Sequence, residues 1–340
     1  MTTTIRDIAR KAGVSQATVS RVLNNSGYVK EETRQTIEKV IKELNYTPNA
    51  VARSLSKSET NVIGVVVPDI NNPFFGEVIK GISMVADSQN LNIILCDTNE
   101  NMEKEIKSLK MLKEQRIKGI IITPTSDTNE FNSEYLLALE DLGIPIVLVD
   151  RDVKYSNFDA VFIDNIKGTF DATEALIKEG HKKIAIIAGP TTSKPGRDRL
   201  RGYKKALTMN NMKLDENYIF YGDFKIGSGY ECTKKIVSMK DRPTAILVCN
   251  NMMNLGCIKA LNEMNIRIPD DMALIGFDEI EMIDVLGINI SVVSRPTTEM
   301  GKIAAEILIK KLNGEEKQRT ERVILPPTLL LKGSEKLIKK

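Results

Sequence analysis

The sequence predicts an α/β protein: a three-helix head followed by a larger body of parallel, doubly wound sheets in two subdomains. Three observations lead there. Up to Leu44, apolar residues recur at helical spacing. From residue 61 onward, short continuous runs rich in Ile and Val alternate with helical patterns, as strands buried on both faces of a parallel sheet do. The alternation comes as two consecutive series, and 340 residues exceed one ordinary core.

In the head, Ile5, Ile8, Ala9 and Ala12 fall on one helical face. Gly13 follows, where a helix end favours a residue tolerant of positive φ. Ser15 suits the N-cap of a second helix. Val19, Val22 and Leu23 then face inward, and Gln16, Ala17, Ser20 and Arg21 are left outside. A third helix carries Ile37, Val40, Ile41 and Leu44 on one face, with Glu31 and Glu32 in its first turn, where the helix dipole favours acids. Helix, glycine turn, helix is the helix-turn-helix arrangement, whose second helix meets base edges in the major groove.

The exposed side chains suit that task. Gln16 can bond adenine bidentately, Arg21 can reach a guanine edge or a phosphate, and Ala17 offers a methyl-sized contact to thymine. Thr4, Thr18 and Ser20 suit phosphate contacts. Ser15 and Asn24, at the ends of the second helix, complete the candidate surface. A bare helical bundle is the bland alternative, and charge argues against it. Residues 1–60 carry ten Lys and Arg against six Asp and Glu, whereas the remaining 38 and 39 nearly cancel.

In the body, strands are expected at 62–67, 92–96, 119–123 and 145–150, then at 183–188, 244–249 and 273–278. A final stretch, with a strand at 290–294, a helix near 299–313 and an apolar run at 323–331, should cross back between the subdomains. Ligands of open α/β sheets sit beyond the carboxyl ends of strands. That rule nominates Asn72, Phe74 and Phe75 after the first strand, and Asp150 beside Arg151 after the fourth. It also nominates the segment leading to Arg199, the pair Asn250 and Asn251, and Asp278 beside Glu279. Amides, carboxylates and a guanidinium can bond hydroxyl pairs, and aromatic rings can stack on C–H faces, which is the chemistry of a sugar site.

Other classes fit poorly. His181 is the single histidine and lies in a turn, EGHKKI, so no Ser-His-Asp set assembles. No phosphate-cradling GxxxxGK[ST] loop and no His/Cys cluster appears, so neither enzyme activity, cofactor nor metal is expected. No stretch approaches the ~18 apolar residues of a membrane span. The N-terminal MTTTIRDIARKAG lacks the apolar core of a signal peptide, which argues against a periplasmic transport receptor. Cys96, Cys232, Cys249 and Cys257 form no CxxC pair and read as reduced, packed thiols of a cytoplasmic protein. The Lys-rich end, SEKLIKK, reads as a frayed tail without a leucine-heptad extension.

Several segments together resemble the lactose-repressor/galactose-repressor (LacI/GalR) family of bacterial regulators. They are VSQATVSRVLN, EETR, NYTPNAVARSL and GVVVPDINNPFF, followed by IPIVLVDR, EGHKKIAIIAGP, DRLRGYKKAL, RPTAILVCNNMMNLG, IPDDMALIGFDEI and RVILPPTLLLKGS. The resemblance runs from about residue 3 to 334. It implies a homodimer on a pseudo-palindromic operator and a body similar to periplasmic sugar-binding proteins, with three chain crossings between subdomains. It also implies a hinge helix at about 49–56, where Asn49, Ala52 and Arg53 contact DNA and Leu55 wedges into the minor groove. Pro48 suits the first position of such a helix, which is too short to be stable alone, and an apolar wedge is an established way to kink a duplex. Lys30 departs from the family, which often has a capping Ser or Thr there.

The resemblance further implies that Arg199, in DRLRGY, binds effector, and that Phe74, Phe75 and Phe224 are wall positions. Asn251 stands where the family usually has an Asp that bonds sugar hydroxyls. NSGYVKEETR and NYTPNAVARSL are similar to the ribose-repressor branch. The expected layout is a DNA-binding domain at 1–47 and a hinge at 48–60. An N-subdomain follows at 61–159 with 291–321, and a C-subdomain at 160–290 with 322–340. The expected function is a transcriptional regulator, a repressor, whose operator affinity is controlled by a sugar-like effector between the subdomains. Two alternatives stay open: control by a phosphorylated carrier protein, or a degenerate sensor on a constitutive DNA-binding protein. Relatives that answer to the carrier protein lack the Arg at the position of Arg199.

Overall fold

The computed structural model describes residues 3–23, 26–46, 60–127, 130–154, 156–315 and 320–337. The chain divides into two compact units, 1–60 and 61–340.

The first unit holds α1 (Ile5–Ala12), α2 (Gln16–Leu23) and α3 (Glu31–Glu43). Thr4 and Asp7 form a capping box at α1: the Thr4 side chain accepts from the Asp7 N–H, and the Asp7 carboxylate accepts from the Thr4 N–H at 3.0 Å. Gly13, at φ 67°, ends the helix in the left-handed conformation, as expected. The Ser15 hydroxyl accepts from the Thr18 N–H at 3.1 Å and so caps α2. Lys30 leads into α3 without a side-chain cap. Ile8, Val19 and Ile37 are fully buried and, with Ala9, Val22 and Val40, form a small core of their own.

The second unit contains two six-stranded sheets. The first joins β1 (Val62–Val67), β2 (Asn92–Asp97), β3 (Ile120–Ile122), β4 (Ile146–Val149), β5 (Asp159–Ile163) and β11 (Arg322–Leu325), in the order β11-β5-β4-β3-β1-β2. The second joins β6 (Ile184–Ala188), β7 (Ile219–Tyr221), β8 (Ala245–Val248), β9 (Ala273–Phe277), β10 (Ser291–Ser294) and β12 (Thr328–Leu330), in the order β12-β10-β9-β8-β6-β7. Pairing is parallel throughout except between β10 and β12. The helices described in this unit are α4 (Pro73–Ser88), α5 (Met102–Glu114), α6 (Glu130–Asp141), α7 (Asn165–Lys178), α8 (Lys194–Met209), α9 (Ile226–Val237), α10 (Asn251–Glu263), α11 (Glu281–Val285) and α12 (Thr297–Leu312). Where α4 crosses α12 the backbones nearly touch. A Cβ on Gly81 would meet the Thr298 carbonyl oxygen at 2.0 Å, and one on Gly301 would meet that of Val78 at 2.0 Å.

The seven strands read from the two series are present. β5 and β7 were not foreseen: β7 is a three-residue edge strand, and DAVFI is short and opens on an Asp. The expected run at 323–331 is broken at Pro326–Pro327 into β11 and β12, one in each sheet. These strands move the expected subdomain boundaries. β5 and β11 belong to the first sheet, not to a C-subdomain starting at 160 and 322, and β10 belongs to the second sheet, not to an N-subdomain segment starting at 291. Hydrogen-bond pairing decides membership, and an apolar run alone does not say which sheet edge it completes. The chain therefore crosses between lobes at Asp164, at Arg295–Pro296 and at Pro326–Pro327, three times in all.

Candidate effector cleft and reading head

Carboxyl ends of strands from both lobes meet in one cleft. From the first lobe come Asn72, Phe74 and Phe75 after β1, and Asp150 after β4. From the second come Arg199 on α8, Phe224 before α9, and Asp278 after β9. These seven predicted residues line one cavity of about 30 Å³. Asp150, Phe224 and Asp278 have φ of 64°, 66° and 70°, left-handed values that are unusual for a bulky residue such as Phe224 and that concentrate at binding sites.

Each predicted side chain has a definite role in the wall. Asn72 caps α4, its Oδ1 accepting from the Phe74 N–H at 3.0 Å. Phe74 and Phe75 meet edge to face at 4.9 Å and are both buried in the first-lobe core. The Arg199 Nε donates to Asn165 Oδ1 at 2.8 Å and its Nη1 to the Cys249 carbonyl at 2.5 Å, while its plane lies 3.8 Å over Phe277. Both bonded acceptors are neutral. Burial, and then the nearby Arg295, pull its pKa down to about 10, so it stays charged at neutral pH.

Asn251 departs from its expected place. It is not among the lining residues; its Nδ2 donates to Asn72 Oδ1 at 2.8 Å and its Oδ1 accepts from the Met252 N–H, so it ties the lobes together. Arg197 makes a second tie, donating to Asp127 at 3.1 Å through Nη1 and again through Nη2. Two further residues of the nominated loops, Asn250 and Arg151, also line the cavity, and sequence reasoning left out a third, Arg295. Asn250 caps α10 and donates to the Phe224 carbonyl at 2.9 Å, holding that ring's backbone. Arg151 pairs with Glu100 at 2.7 and 2.8 Å. Arg295 is the most central: it donates to Asp150 at 2.7 Å and to both oxygens of Asp278 at 2.5 and 2.6 Å, and lies 3.7 Å over Phe74. Burial works to lower its pKa, but Asp278 and Asp150 outweigh it, and the group is held above its ordinary value. The rule that nominated the other loops applies equally to ISVVS, whose carboxyl end is followed directly by Arg295.

The reading head presents Gln16, Ala17 and Arg21 to solvent on one face of α2, with Thr18 and Ser20 half-buried beside them. Thr4 is exposed but engaged in its capping box, and Ser15 shares its hydroxyl with Thr18 Oγ1 at 2.8 Å. Asn24, Asn49, Ala52, Arg53 and Leu55 lie outside the described residues. His181 is buried, its ring nitrogens bonded to Thr244 Oγ1 at 2.8 Å and to the Glu335 carbonyl at 3.0 Å. All four cysteines are free and buried, and burial raises each thiol pKa. Among the described residues no helix is long and apolar enough to cross a membrane, and no acid, His or Cys cluster is placed to hold a metal.

A helix-turn-helix head on a two-lobed binding body defines a DNA-binding regulator with a small-molecule sensor. Residues 4–49 match the model of bacterial regulatory proteins of the lacI family, and 173–334 match a periplasmic binding protein-like domain. The chain is 38% identical to the HTH-type transcriptional regulator RegA of Clostridium saccharobutylicum, covering 93% of this chain and 94% of that protein. It is 34% identical to the ribose operon repressor of Haemophilus influenzae, covering 97% and 98%. The structure of the lac repressor dimer bound to operator and the anti-inducer ONPF is similar over 99% of this chain and 100% of that one, with a TM-score of 0.85 at 27% identity. The chain belongs to the lacI family of bacterial regulatory proteins and is a DNA-binding transcriptional regulator.

Proposed function

We propose that this regulator acts as a cytoplasmic homodimeric repressor whose operator affinity is set by a sugar or sugar derivative held between its two lobes. The observation that carries the reading is the convergence of Asn72 and Asp150 from one lobe with Arg199 and Asp278 from the other on a single cavity. Carboxylates and amides accept from hydroxyl groups, a guanidinium donates to them, and Phe74 and Phe224 supply apolar faces. Arg199 also favours a small ligand over control by a carrier protein, because a buried cation bonded only to neutral acceptors is an expensive feature without a ligand to meet it.

A cavity of about 30 Å³ is far below the roughly 300–1,000 Å³ of ligand pockets, so effector entry requires the lobes to part. Effector then shifts regulation only if it binds the two lobe arrangements unequally. On the DNA side Gln16, Ala17 and Arg21 read bases, with Thr4, Ser15, Thr18, Ser20 and Asn24 setting register. Asn49, Ala52, Arg53 and Leu55 act at the centre of the operator.

A thermal-shift screen of pentoses, hexoses, sugar phosphates and nucleobases tests the effector class, with the operator obtained by selection from random duplex DNA. Arg199→Met should abolish the ligand response in a gel shift and keep operator binding; a retained response sinks the assignment. Leu55→Ala should weaken operator binding by about tenfold or more, in line with a wedge contributing a few kcal/mol, and leave effector affinity unchanged. Equal operator affinity at matched salt rules out the wedge.

A further inference from the structure

Arg295 belongs to neither lobe. It sits on the crossing segment between β10 and α12, and its guanidinium joins Asp150 of the first lobe to Asp278 of the second through three short hydrogen bonds. Its flat face lies on Phe74 at 3.7 Å, with Phe277 5.5 Å away. Its side chain is 3% exposed.

That is the set of interactions a sugar would need in this cleft. A sugar ring presents paired hydroxyl donors at its rim and C–H groups on its face. A guanidinium presents paired N–H donors in a plane and an apolar face that stacks on aromatic rings. Arg295 already engages the two carboxylates that would accept from effector hydroxyls, through both oxygens of Asp278 and Oδ1 of Asp150, and it lies on the ring of Phe74. The remaining space of about 30 Å³ holds no sugar.

We propose that Arg295 is a built-in competitor for the effector site: it holds the lobes together by occupying the Asp150–Asp278 pair, and effector binds by displacing it. The inference rests on the effector reading of this cleft and adds a specificity rule. A ligand must bring at least two donors to the carboxylate pair, because one that does not leaves two buried carboxylates unmatched. Molecules without adjacent hydroxyl or amine donors are excluded whatever their shape.

The test uses the full chain and a probe that does not depend on knowing the effector. Arg295→Ala removes the guanidinium, and N-ethylguanidinium chloride at millimolar concentration restores it as a free molecule. The expected result is a saturable rise in the melting temperature of Arg295→Ala with N-ethylguanidinium, with none in the wild type and none with tetramethylammonium chloride, which has no donors. Absence of a saturable rise in the variant, or an equal rise in the wild type, overturns the proposal. If Arg295→Ala does not fold, Arg295→Gln replaces it in the same titration.

A second arm measures sugar binding by calorimetry. Any sugar that binds the wild type should bind Arg295→Gln about tenfold or more tightly, because the competition that lowers the apparent affinity is relieved. Weaker binding by Arg295→Gln shows that Arg295 is an effector ligand and not a competitor. If no sugar binds either protein, the effector reading fails, and the N-ethylguanidinium titration still decides the role of Arg295.

Discussion

At the residue scale, identical chemistry serves opposite ends according to its surroundings. Arg295 is matched by two carboxylates, whereas Arg199, equally buried, bonds only an amide and a carbonyl oxygen. Sequence could nominate both positions from the strand ends they follow, but it could not say which guanidinium is paired. Asn251 shows the same limit: it falls in the right loop, yet its side chain turns back to Asn72. His181, the single histidine, is structural. Its Nε2 faces the Glu335 carbonyl and so carries the proton, an assignment made from the hydrogen-bond network. Burial, the dominant cause, lowers its pKa below 6.5, with the Glu335 carbonyl opposing. A folded pKa below the unfolded one means the fold favours neutral imidazole. Stability is thus complete above about pH 6.5 and is lost as pH falls toward the depressed value. The melting temperature of the wild type should therefore drop between about pH 7 and about pH 5 more steeply than that of His181→Asn. Parallel pH profiles for the two proteins would refute this.

At the scale of elements, the helices of the head start in unequal ways. Thr4 closes a capping box on α1 and Ser15 caps α2, but Lys30 offers α3 no acceptor. Among the described residues no side chain caps that first turn, where Glu31 and Glu32 favour the dipole. Lys30→Ser should stabilise the head by about 1 kcal/mol, read as a shift of its denaturation midpoint. An unchanged midpoint would show that the acids already offset the missing cap. Strands were legible where short apolar runs dominated by Ile and Val left no alternative, as in VIGVVV. β7, with three residues at an edge, carries too little pattern to be seen, and β5 became visible only through its pairing with β4 and β11.

At the scale of the whole molecule, residues 1–60 and 61–340 are separate compact units, each with its own core. A fragment of residues 61–340 should fold alone and bind effector with the affinity of the full chain, without binding operator. Calorimetry on the fragment checks this, and a lost or strongly weakened ligand would show that the head contributes to the sensor. The local sequence determined the helical head, the two strand series and the loops that carry polar residues, because period, turn residues and charge are local properties. What it left open was membership and partnership. Only the tertiary structure assigned β5 and β11 to one sheet and β10 and β12 to the other, since pairing joins segments far apart in sequence. Only it placed Arg295 between Asp150 and Asp278, 145 and 17 residues away, because a buried charge is fixed by whichever opposite charges the fold delivers to it.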